Sequence, residues 1–122
     1  MGLKYIDTKR SALTTTNATI STIVTIPIPT GSVSGTRVEV TVRDSANPLN
    51  CGFYLRQVLV ANSAGTTSII GSISTIGVDS VAIGLAGVVL TISVSGGNLM
   101  IQGTGLITTT LDWQVITYLN IN

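Results

Sequence analysis

With 122 residues the chain is long enough for one domain with one core, which 44% hydrophobic residues and a mean hydropathy of +0.57 supply amply. Charged residues make up only 9%, against about 25% in ordinary soluble domains, so part of the surface is expected to be covered by other subunits. A formal net charge of +1 lacks the electrostatic footprint of a nucleic-acid binder, and the absence of histidine with five scattered carboxylates argues against catalysis near neutral pH.

Residues 1–13 read as an N-terminal arm ahead of a β domain spanning 14–122. In the arm Lys4, Lys9 and Arg10 form a small basic cluster with Tyr5 and Ile6 among them. Two readings stand side by side: a solvated segment, or an anchor that docks on an acidic partner surface. Lys4, Tyr5, Ile6, Lys9 and Arg10 are therefore the candidate anchor or interface residues. The stretch has neither the apolar core nor the cleavage site of a signal peptide, so synthesis in a cytoplasm is expected.

Thr, Val and Ile dominate the rest of the chain, and their branched Cβ atoms suit a pleated surface. No window carries an i, i+3, i+4, i+7 apolar stripe. From Ala18 to Ile28, Ile20, Val24, Ile26 and Ile28 share one face, while Pro27 and Pro29 mark an edge strand or a strand end. Thr30-Gly31-Ser32 is a turn signal. The clearest strand is Arg37–Arg43, with Val38, Val40 and Val42 on one side and Arg37, Glu39, Thr41 and Arg43 on the other. Asp44–Asn50, containing Asn47-Pro48, is a loop. Phe53–Ala61 is apolar on both faces and reads as a central strand. Asn62–Gly65 is a hairpin loop, and Thr66–Ile73 returns, with a continuation after a bend at Gly77.

Val81–Leu85 and Val88–Val94 read as two strands or one bent strand, kinked at Gly84 and Gly87. The same stretch is too short and too interrupted to span a membrane, which takes about 20 apolar residues. Ser95–Asn98 is a turn, Leu99–Gln102 pairs back, Gly103-Thr104-Gly105 breaks the run, and Thr110–Ile121 is the last strand. Leu111, Trp113, Val115, Leu119 and Ile121 share its apolar face. The sum is an all-β chain of about seven to nine short strands, expected as an antiparallel β-sandwich of jelly-roll-like form. A small barrel fits the same spacing, and a solenoid would need a fixed period that does not persist.

The polar residues have structural explanations. Glu39 can pair with Arg37 and Arg43 across strands, and Asp44 and Asp79 sit where aspartate makes turn hydrogen bonds. Asp112 beside Trp113 is the most site-like carboxylate, although a solvent-facing strand residue next to a core tryptophan is the better explanation. Cys51 cannot form an intrachain disulfide and is expected as a small buried hydrophobe. No Ser–His–Asp set, zinc or calcium spacing, or phosphate loop occurs, so no catalytic residue, metal or cofactor is expected. The loop amides Asn47, Asn50, Asn62 and Asn98 are the raw material of an alternative, a carbohydrate- or receptor-binding module like an adhesin. Five aromatics (Tyr5, Phe53, Tyr54, Trp113 and Tyr118) are few for a sugar-stacking platform.

Four segments carry a resemblance, in the same order along the chain. They are the run from Thr14 through Ile26-Pro27-Ile28-Pro29 to Val33, the aromatic strand and hairpin Phe53–Gly71, the turn and strand Val94–Gly105, and the tryptophan strand ending at Ile121. Together these resemble small virion structural proteins of tailed phages, over about residues 14–121. The resemblance implies a non-enzymatic β module of a head decoration, head fibre or tail fibre. It also implies location in the virion, a homo-oligomer with a trimer favoured, and other virion proteins as partners; charge and hydropathy, as above, point to neither nucleic acid nor membrane. Asn47–Cys51 departs from the more charged middle of that pattern.

Overall fold

The computed structural model describes residues 4–122. Among them nine strands form in chain order: β1 (Tyr5–Thr15), β2 (Ile20–Pro27), β3 (Val33–Asp44), β4 (Cys51–Ser63), β5 (Thr66–Thr75), β6 (Ser80–Val81), β7 (Val89–Ser95), β8 (Asn98–Thr104) and β9 (Leu111–Ile121). A 3-10 turn, Ile83–Leu85, lies between β6 and β7. All pairings are antiparallel. The larger sheet runs β1-β9-β3-β4-β5, with β6 continuing beside β4 after β5 has bent away, and the smaller runs β2-β8-β7. The protein is an all-β sandwich of these two sheets.

The period-2 patterns decide which faces meet. Val38, Val40 and Val42 of β3, Tyr54, Val58 and Val60 of β4, and the apolar face of β9 are buried against Ile26, Ile92, Leu99 and Ile101 of the smaller sheet. Trp113 is the largest side chain of this core, and its indole N–H donates to the Thr15 hydroxyl at 2.9 Å. Gly103 of β8 faces it: a Cβ at that position would stand 2.8–2.9 Å from three atoms of the six-membered ring. Two tight hairpins hold the strand ends. In the first, Ala64 and Gly65 take φ of +54° and +91° between Ser63 and Thr66, as a primed two-residue turn requires. In the second, Gly96-Gly97 joins β7 to β8.

Three expectations are corrected. The stretch read as an arm is β1 from Tyr5 onward, paired along its length from Tyr5↔Ile121 to Thr15↔Leu111, so the expected boundary at 13/14 falls inside a strand. Residues 1–3 of that arm lie outside the described residues. The core-side positions Tyr5 and Lys9 stay exposed beyond the narrower second sheet, so no apolar alternation was needed there. In β2 a bulge between Thr22 and Val24 shifts the register, so Ile23 is buried with Ile26 and Ile28 while Ile20 is exposed. Val81–Leu85 holds only the end of the two-residue strand β6 and then a 3-10 turn, in which Gly84 lies close against the Asn50 side chain.

Candidate functional site

One face of an antiparallel sheet can remain solvated, and the outer face of the larger sheet displays the outward register of its strands. Pairing sets Gly35 between Asn120 and Leu59, Arg37 between Tyr118 and Gln57, and Glu39 between Ile116 and Leu55. The Arg37 guanidinium lies 4.7 Å over the Tyr118 ring and 3.7 Å from a Glu39 carboxylate oxygen. The Tyr118 hydroxyl donates to the other oxygen at 3.4 Å. These three groups hold one another in place. The missing side chain at Gly35 leaves a shallow depression of about 350 Å³ beside them, lined also by Ile6, Gln57 and Asn120.

The five candidate anchor residues lie at one edge of the sheet but on two faces. The outward register takes Ile6 and Arg10, and Ile6, 81% exposed, forms one wall of the depression. Tyr5 and Lys9 take the opposite register, where Lys9 pairs with Asp7 at 3.2 Å, and Lys4 precedes the strand. The cluster read from sequence is therefore a charged edge and not a single pocket.

The other singled-out residues are mostly occupied with structure. Asp112 accepts a hydrogen bond from the Thr14 hydroxyl at 3.0 Å and sits opposite Arg43. Asp44 accepts from the Ala46 N–H and Asn47 from the Leu49 N–H, as their turn positions suggested. Asn62 is buried, donating to the Ile28 carbonyl at 2.7 Å and accepting from the Gly65 N–H at 2.9 Å. The loop amides do not converge: Asn47 and Asn50 precede β4, whereas Asn62 and Asn98 lie by the two hairpins at its far end. Cys51, expected inside, is exposed, because it falls on the outward register of β4. Among the described residues no three His, Cys, Asp or Glu side chains come together as a metal site.

Sequence reading missed one pair. Arg56 takes a core-facing position on β4 and donates two hydrogen bonds to Asp79, at 2.6 and 2.9 Å, tying the bend after β5 to β4. The one signal in the sequence was the arginine itself, since a cation between the buried Tyr54 and Val58 needs a partner. Hydrogen bonding from Arg56 holds the Asp79 carboxyl below its ordinary range. A depressed carboxylate stabilises the fold above its unfolded pKa of about 3.9 and loses that contribution as pH falls through the folded value. Asp79→Asn should therefore destabilise the protein by about 1 kcal/mol at neutral pH and flatten the acid limb of a melting-temperature profile below about pH 4. An unchanged acid limb would show that the pair carries no pH-dependent stability.

By sequence the chain matches no protein-family profile and no curated protein. By structure it is similar to part of the tailspike protein of Acinetobacter baumannii phage AM24, with a TM-score of 0.53 and 12% identity over 94% of this chain. It is also similar to part of the tailspike gp49 of A. baumannii bacteriophage Fri1, a capsular polysaccharide depolymerase, with a TM-score of 0.52 and 19% identity over 94% of this chain. The chain spans only 26% and 17% of those two proteins, and at these identities what it shares with them is a fold.

Proposed function

We propose that the chain is a structural β module of a tailed-phage virion that works by homo-oligomeric assembly and not by catalysis. The observation that carries the reading is the fold likeness to segments of two phage tailspikes over 94% of the chain. It favours a tail fibre or spike over a head fibre or head decoration. The sparse charge, 9% of residues, supports burial of surface against other subunits, with a trimer as the favoured form. In this reading the edge strand β1 and the residue before it present Lys4, Lys9 and Arg10 to an acidic surface of a neighbouring virion protein.

Deleting the first ten residues would remove half of a paired strand, so charge reversal is the cleaner test. Lys4→Glu with Lys9→Glu and Arg10→Glu should leave the β fold intact and reduce the amount of protein found by mass spectrometry in purified particles at least tenfold. Unchanged incorporation would sink the anchor, and absence of the native chain from particles would sink the virion reading. The depression beside Arg37 and Tyr118 favours a carbohydrate-binding module as the second reading. Polysaccharide binding that Arg37→Ala abolishes, in a chain absent from particles, would put that reading first.

A further inference from the structure

The charges are segregated. Between Asp44 and Asp112 the sequence holds two, Arg56 and Asp79, and they neutralise each other. That segment builds one side wall of the sandwich, where β5 of the larger sheet packs beside β7 of the smaller. In it Ile70, Ile73, Val78 and Ile83 are exposed on β5 and the turns that follow, whereas Leu59 and Val89 are exposed on the outer faces of the larger and the smaller sheet. The two free edges of the larger sheet are thus unlike: β1 carries Asp7, Lys9 and Arg10, whereas β5 carries no charge in ten residues. Charges on an edge strand discourage edge-to-edge pairing, and only one edge has them.

We propose that the uncharged β5–β7 wall is the contact between copies of this chain. The inference rests on the homo-oligomeric reading above and names its surface. An uncharged wall with exposed isoleucine and valine among Ser and Thr is matched by a partner surface equally free of charge, and this chain supplies one in every copy. Permanent contacts between identical chains have that character, a core cut in half with charge depleted at its centre. The size also fits. A ten-residue strand is about 33 Å long, and two sheets about 10 Å apart with their outer side chains make a wall about 25 Å deep. The product is about 800 Å², what a stable interface takes from each partner.

Val78 and Ile83 are 91% and 95% exposed, so lysine there does not disturb the core. Sedimentation velocity at micromolar concentration should show the native chain as an oligomer whose association is unchanged or strengthened by added salt. Val78→Lys with Ile83→Lys should weaken association about a hundredfold, while Ile20→Lys on β2, the other edge of the smaller sheet, leaves it unchanged. If the lysine pair unfolds the chain, Ile70→Thr with Ile73→Thr keeps β-branched residues and should weaken association in the same direction. A monomeric native chain overturns the homo-oligomeric reading itself. A native oligomer that salt dissociates, or that the wall variants weaken no more than Ile20→Lys does, overturns the wall and leaves that reading standing.

Discussion

Trp113→Ala is expected to destabilise the protein by about 3–5 kcal/mol, a large share of the 5–15 kcal/mol that holds a typical domain together. The indole is buried between the two sheets, so its removal forfeits the apolar contacts of both and leaves a cavity that the strands can close only in part. It also orphans the Thr15 hydroxyl, whose partner at 2.9 Å is the indole N–H. Trp113→Phe should cost less, keeping part of the ring but losing that hydrogen bond. Urea denaturation followed by far-ultraviolet circular dichroism measures both. A cost below about 1 kcal/mol for the alanine variant would mean that the sheets do not depend on this side chain for their contact.

Gly103→Ala is the second large effect, about 1–3 kcal/mol, although it adds a single methyl group. That methyl would lie 2.8–2.9 Å from the outer atoms of the Trp113 ring, a distance at which one strand must move. The cause can be isolated by a double-mutant cycle. Phenylalanine at position 113 lacks the second ring that the methyl meets, so Gly103→Ala should cost at least about 1 kcal/mol less in that background. Equal costs in the two backgrounds would show that glycine is required there for its backbone and not for the close approach.

The two substitutions mark where sequence and structure agree and where they part. The alternation of Val38, Val40 and Val42, and that of Leu111 to Ile121, is legible because one face is buried and the other is not. The Ala64-Gly65 hairpin is legible because only certain residues tolerate its positive φ values. The strand β1 is not legible, because its lower half overhangs the smaller sheet and no apolar pattern is demanded of it. The inward turn of Ile23 depends on a bulge opposite β8, a feature that local spacing does not encode. The outer-face depression was missed for a related reason: Gly35, Ile6 and Tyr118 come from three strands, and only the pairing register sets them together. Low charge was visible from composition, but its concentration on one wall comes from the order of the strands.

That order has a consequence for synthesis. The strand emerging after all the others, β9, takes a place inside the larger sheet between β1 and β3. Until it arrives, one backbone edge of β3 and the whole inner edge of β1 wait without a partner, and pairings as distant as Thr15 with Leu111 form slowly, on a scale of milliseconds to seconds. Throughout that delay the stretch from β5 to β8, in which Asp79 is the one charge, is already made and has little electrostatic repulsion to keep neighbouring nascent chains apart. The chain is therefore most open to premature association while β9 is still missing.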